Sequence, residues 1–166
     1  MMAFRIAWFK VYHPLAFYAA YFYRRSQKGG FDAELMTGGI ESVLAKINAI
    51  DEDENATAKD EDMLTTLEVV YEFYLRGFEF APMDIYESDA LKFIIKDGKL
   101  IPPFVSVSGL GETAALDIVE SRKGKEFISI EEFMVACPKV SKTHIENLKA
   151  AGAFGNMPDT SQVTLF

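Results

Sequence analysis

Apolar residues return every three or four positions through most of this chain, and that spacing predicts helices. Phe4, Ala7, Trp8 and Val11 share one face of a first helix over residues 2–12. His13-Pro14 interrupts it, and Pro14 suits the first turn of a second helix, 14–25, which ends in Arg24-Arg25. After the Lys28-Gly29-Gly30 loop, Asp32 is placed to cap a third helix reaching about Ile50, with Gly38-Gly39 a soft spot inside it. Asp51–Asp62 reads as an acidic loop. Leu64, Leu67, Val70, Tyr71 and Tyr74 mark a fourth helix over about Glu61–Arg76, with Gly77 its stop.

The pattern changes at residues 82–101. Asp97-Gly98 between two short apolar runs signals a β-hairpin, ended by Pro102-Pro103. Phe104–Val107 reads as one short helical turn and Gly111–Lys123 as a longer helix. Ser129 and Glu132 have capping-box spacing before Ile130–Ala136, and Ser141 caps Lys142–Ala151, stopped by Gly152. The expected fold is mainly α with a small β-hairpin, and residues 130–151 form a possible second helical hairpin. The tail, GNMPDTSQVTLF, is polar until Val163.

Composition narrows the function classes. The 166 residues are 49% hydrophobic, enough for a real core. Cys137 is the only cysteine, so no internal disulfide forms, and a lone thiol suits a reducing cytoplasm. Two histidines and one cysteine cannot make a standard structural zinc site. Arg5, Lys10 and His13-Pro14 break the apolar stretch 2–23, so buried helices are expected there, with neither a membrane span nor a signal peptide. The net charge is -8, yet residues 1–30 hold Arg5, Lys10, Arg24, Arg25 and Lys28 and no acid. Most acids fall in 31–100, and local potential matters more to a ligand than the sum.

The stretch with readable chemistry is SGLGET, Ser108–Thr113. Two glycines in a tight turn before a helix offer bare N–H groups to a phosphate. In a helix-hairpin-helix unit, Leu110 plugs the space between the helices, Ala115 lets them approach and Ile118 closes the core. The N–H groups near Gly109 and Gly111 then face a DNA phosphate, flanked by Ser108 and Thr113, with Gly111 a candidate for the left-handed conformation. Arg122, Lys123 and Lys125 add local charge. Such a grip reads backbone rather than sequence and needs few basic side chains. The competing reading is an ordinary αα-turn.

At the other end, Gln162 followed by Leu165 and Phe166 has the shape of a short linear motif for a partner's pocket; the bland reading is a tail that folds back. Asp51, Asp53, Asn55, Thr57 and Asp62 fall near the ligand positions of a calcium loop, but Ala56 stands where glycine is needed and Lys59 intrudes. No metal site is expected there, and no nucleophile or general-base motif points to a catalytic residue.

Several stretches together resemble one family. MAFRIAWFKVYHPLAFYAAYF is similar to the end of the fingers of PolC-type bacterial DNA polymerase III alpha subunits. NATAKDEDMLTTLEVVYEFYLRGFEF resembles the helical segment that follows, and DIYESDALKFIIKDGKLIPPF with SGLG the approach to that family's duplex-binding domain. SKTHIENLKAAGAF resembles its closing helix, and QVTLF its sliding-clamp-binding peptide. The resemblance runs in order from Met2 to Phe166, with Ser108 where proline is frequent and Val163-Thr164 a variant of the usual pair.

It implies fingers-derived helices over 1–81, a duplex-DNA-binding helix-hairpin-helix domain over 82–154 and a flexible clamp-binding tail over 155–166. The implied function is a part in template-directed DNA synthesis: grip on duplex DNA and a tether to the clamp. The family's metal-binding palm carboxylates lie upstream of the matching region, so the resemblance implies no catalytic residue and no cofactor here, with magnesium belonging to the parent polymerase. It also implies an expressed piece or a truncated reading frame. Trp8, Phe9, Phe17, Tyr21 and Phe22 would lose partners from the rest of the fingers, so self-association through residues 2–25 is expected. The alternatives are a stand-alone helix-hairpin-helix DNA-binding or repair protein, and a non-catalytic adaptor.

Overall fold

The computed structural model describes residues 2–161. The helices are α1 (Met2–Tyr12), α2 (Pro14–Ser26), α3 (Ala33–Met36), α4 (Ile40–Asp51), α5 (Ala58–Leu75), α6 (Glu112–Ser121), α7 (Ile130–Ala136) and α8 (Lys142–Ala150). Strands β1 (Ile94–Lys96) and β2 (Lys99–Ile101) form an antiparallel hairpin in which Ile95 faces Leu100. Asp97 and Gly98 both take positive φ, 51° and 74°, as a two-residue hairpin turn requires. The fold is mainly α with a small β-hairpin. No described helix is long and apolar enough to cross a membrane.

The third expected helix is two. Gly39 has φ +104°, outside helical space, so the chain turns between α3 and α4. The fourth helix starts earlier than expected, because Thr57 caps it and Asp60 completes a capping box. Hydrogen bonds from the Thr57 hydroxyl and backbone hold the Asp60 carboxyl below its usual range. Half of the acidic run Asp51–Asp62 is therefore helix ends, with the linking loop at 52–57. Ser129 caps α7 as expected, but Glu132 reaches past it to accept the N–H of Ile128 at 2.8 Å, so the pair is not a strict capping box.

Two buried clusters carry the fold. One gathers Tyr18 and Phe22 of α2 with Phe31, Met36, Val43, Leu67, Val70 and Phe73, and the hairpin joins it through Phe93 and Leu100. Its aromatic rings meet edge-on, tilted or stacked: Phe31–Phe93 edge-on at 4.9 Å, Phe73–Phe80 tilted at 4.6 Å and Tyr18–Phe22 stacked at 5.9 Å. The other gathers Met83, Ile85 and Phe104 with Leu110, Ala115 and Ile118 of α6, Phe133 and Cys137 beside α7, and Ile145 and Leu148 of α8. Burial pushes the Cys137 thiol up to about 11, so it is a packing residue with little thiolate at neutral pH.

Helix α1 departs from the expectation of burial: it contains no buried residue. Phe4 is 74% exposed, and Ile6, Trp8, Phe9, Val11 and Tyr12 are exposed with it. Phe22, expected to be uncovered with them, is fully buried, while Phe17 and Tyr21 are half-buried.

A polar clamp ties α1 and α2 to α5. Glu72 accepts from the Tyr18 hydroxyl at 2.7 Å and pairs with Lys10 at 2.6 Å, while Arg76 donates to the Tyr18 oxygen and to the Lys10 carbonyl, both at 3.1 Å. Burial opposes ionisation of Glu72, but hydrogen bonds from Lys10 and Tyr18 outweigh it and hold the carboxyl below its ordinary value. A depressed carboxyl pKa contributes stability above the unfolded-state value, and that contribution is lost as pH falls through the folded value. Glu72→Gln is therefore expected to melt lower than the parent at neutral pH. The gap should close as the pH drops below about 4, the ordinary carboxyl range. Melting curves of both proteins across that window check the sign, and a constant gap would show that the Glu72 charge is not what matters.

Candidate nucleic-acid interface

The SGLGET stretch sits on a short 3₁₀ turn, Phe104–Ser106, whose first residue is fully buried. The Ser106 hydroxyl donates to the Pro103 carbonyl at 2.6 Å, and the Leu110 N–H donates to the Val107 carbonyl at 3.0 Å, closing the loop tightly. Gly109 has φ +76° and is the left-handed residue of the turn. Gly111, the expected candidate, has φ −75° and ψ 167° and is the N-cap of α6. A side chain at Gly109 would meet no neighbour, so its backbone angle, not space, calls for glycine. At Gly111 neither angle nor space does; it is the N-cap of α6, a position glycine suits, and it leaves the start of the helix open to its surroundings. Leu110 points inward and is buried against α6, where Ala115 and Ile118 are fully covered.

Helices α3, α5, α7 and α8 each begin with a side chain that accepts a first-turn N–H, from Asp32, Thr57, Ser129 and Ser141. Helix α6 begins at Gly111 and has no such acceptor, and neither do α2 at His13 and α4 at Gly39. Among the described residues, the N–H groups of Gly109, Gly111, Glu112 and Thr113 meet no protein acceptor. At the positive end of the α6 dipole they are main-chain donors without a protein partner at the start of this helix. Thr113 is exposed in the first turn of α6, and Glu112, an acid, lies exposed beside it. A cavity of about 450 Å³ opens against Ser108–Glu112, and Gln27, Gly29 and Lys59 line its far side.

The expected basic residues are not gathered at this turn. Arg122 and Lys123 follow the C-terminal end of α6, and a helix of this length carries them about 15 Å from its start. Arg122 is turned inward: its guanidinium donates to the carbonyls of Ile85 and Ser88 at 2.7 and 2.6 Å and lies over the Phe104 ring. Burial lowers its pKa. It ties segment 85–88 to α6 and is removed from the set of DNA contacts. Lys123 is exposed and pairs with Glu120 at 2.6 Å. Gln162, Leu165 and Phe166 lie outside the described residues. Among the described residues, no group of three or more His, Cys, Asp or Glu side chains comes together to hold a metal.

Two residues not anticipated from the sequence touch the turn. His144 Nε2 lies 2.9 Å from the Gly109 carbonyl, and the Asn147 side-chain amide donates to the Ser108 carbonyl at 2.9 Å.

Residues 77–163, just over half of the chain, match the model of the helix-hairpin-helix motif family. The chain belongs to that family. Outside the motif the likeness continues. Over its whole length the chain is 46% identical to a stretch of the PolC-type DNA polymerase III of Caldanaerobacter subterraneus and 41% identical to one of the PolC-type enzyme of Streptococcus pyogenes. It spans 12% and 11% of those two proteins. The similarity to a segment of PolC-type polymerases, stated above from separate motifs, thus holds from end to end. Within the helix-hairpin-helix module, the Gly109–Gly111 loop is the hairpin between the Phe104–Ser106 turn and α6, and the 137–141 loop is its counterpart between α7 and α8.

Proposed function

We propose that this chain serves a PolC-type replicative polymerase as the part that grips duplex DNA and ties the enzyme to the sliding clamp, and that it performs no chemistry itself. Its place of action is then the cytoplasm. The observation that carries the DNA half is the uncapped N-terminus of α6 within a helix-hairpin-helix turn, where N–H groups are free at the Gly109–Gly111 loop while α7 and α8 of the same module close theirs with Ser129 and Ser141. Main-chain donors suit a sequence-independent phosphate contact. They also explain how a chain of net charge -8 can bind DNA, since the contact asks little of its side chains. In this reading Ser108–Thr113 hold the backbone, Lys123 adds only general charge, and residues 82–154 form the binding unit after the fingers-derived helices of 1–81. The clamp half rests on Gln162, Leu165 and Phe166 in the tail 155–166. Two-metal nucleotidyl transfer needs carboxylates clamping ions about 4 Å apart. In the family this chain resembles those carboxylates lie upstream of the matching region, and on that ground the reading assigns no magnesium step to this chain.

The test is titration of a labelled duplex of arbitrary sequence at several salt concentrations. Binding in the range of roughly 10⁻⁴ to 10⁻⁶ M is expected, with a shallow salt slope because few cations take part. No binding at low salt would sink the DNA reading and favour the adaptor.

The bare face of α1 supports a further partner, a second copy of this chain. Its large apolar side chains at Phe4, Ile6, Trp8, Phe9, Val11 and Tyr12 are all exposed, the kind of surface that seeks a partner. Self-association is expected for the chain by itself, and Phe4→Glu with Trp8→Glu should return it to a monomer without moving the melting temperature. Sedimentation of the parent as a monomer at high concentration would remove this contact.

A further inference from the structure

The second helical hairpin does something other than repeat the first. Helix α8 closes its own N-terminus: the Ser141 hydroxyl accepts the His144 N–H at 3.3 Å, and His144 Nδ1 accepts the Ser141 N–H at 3.2 Å. That acceptance leaves the imidazole proton on Nε2, which therefore donates to the Gly109 carbonyl. One turn further along the same face, Asn147 donates to the Ser108 carbonyl. The loop of the second hairpin is itself tied to α6, since the Lys139 N–H donates to Asp117 Oδ2 at 3.2 Å.

These contacts act on the orientation of peptide planes. In a trans peptide the C=O and the next N–H point in opposite directions. Holding the Ser108 carbonyl toward α8 aims the Gly109 N–H away from α8. Holding the Gly109 carbonyl fixes the next plane, whose N–H, that of Leu110, is bonded to Val107. That plane is pinned at both ends, and it sets the direction in which Gly111 and the first turn of α6 leave. A glycine turn has unusual conformational freedom, so its donors stay aimed only if something else restricts it. We infer that His144 and Asn147 are positioning residues for the phosphate grip, so that the second hairpin braces the first.

The inference rests on the reading of Gly109–Thr113 as a phosphate grip, and its test has one arm that needs no DNA. His144→Ala and Asn147→Ala are each expected to weaken duplex binding about fivefold, the size of one ordinary hydrogen bond. The salt slope should stay unchanged because no cation is lost. His144→Gln supplies both an acceptor for Ser141 and a donor for Gly109, and is expected to restore most of the affinity. Ser141→Ala is the structural control. It removes the helix cap, lowers the melting temperature and leaves affinity as it was at temperatures where the protein is folded. In the arm without DNA, ¹⁵N relaxation should show the amides of Gly109 and Gly111 ordered in the parent and mobile in the double alanine variant. Equal rigidity in parent and double variant, or unchanged affinity of a well-folded double variant, would overturn the inference. A parent that fails to bind DNA while its turn loosens in the double variant would instead sink the DNA reading and leave the brace standing.

Discussion

Replacing Gly109 by valine is expected to remove duplex binding, with a loss of tenfold or more in affinity. Gly109 has φ +76°, a region costing an L-residue about 1–2 kcal/mol and forming a true outlier for a β-branched side chain. A side chain there meets no neighbour within 4 Å, so the cost is the backbone angle, and the strain is relieved only if the turn moves toward negative φ. That movement rotates the peptide planes on both sides, breaks the bonds from His144 and Asn147, and scatters the donors of Gly109, Gly111 and Thr113. The core beneath, Leu110 with Ala115 and Ile118, stays available, so the variant should remain folded. Gly111→Ala is the companion change. Its φ of −75° accepts alanine and its surroundings are open, so stability should hold while the new methyl stands where a phosphate would come closest. Anisotropy on a labelled duplex, with melting curves of both variants, measures the two effects separately. A folded Gly109→Val protein that binds as well as the parent would show that the hairpin is not the grip.

Removing Leu165 and Phe166 is expected to abolish binding to a sliding clamp while leaving DNA binding untouched. The two side chains together offer about 3–5 kcal/mol on burial, before the cost of ordering the tail. Gln162 has both a donor and an acceptor to fix register in a groove. Val163 and Thr164 favour extended backbone, the form a peptide takes when it lies along a groove. Fixing a peptide in a groove offsets much of the gain, so an affinity near 1 µM, about 8 kcal/mol, is the expected scale for the intact chain. Titration of purified clamp with the intact and shortened proteins decides it. Equal binding would take the tail out of the mechanism and strengthen the adaptor reading. If both sites work, their effects multiply on clamp-loaded DNA, because a tether raises the local concentration of the second contact.

Much of this molecule follows from local chemistry, and local chemistry is what a sequence displays. Pro14 starts α2, Ser141 starts α8, Asp97-Gly98 turns the hairpin, and the paired glycines with Leu110 announce the helix-hairpin-helix turn. Each of these acts within four or five residues. Helix periodicity located α1 as well, but a stripe of apolar side chains says that a face seeks cover and not whether the chain supplies it; packing left α1 bare. Gly38-Gly39 could have been a tolerated weak point in one helix, and only the backbone angle at Gly39 made it a break. Arg122 looked like a spare cation beside a DNA site until the fold brought the carbonyls of Ile85 and Ser88 to it from more than thirty residues away. His144 and Asn147 meet the glycine turn across 35 and 39 residues, and no spacing rule reaches that far. The sequence alone determined where donors would be exposed, because capping is a short-range competition for N–H groups. Which side chains would hold those donors in place was decided by tertiary packing, which brings carbonyls and side chains together without regard to their distance along the chain.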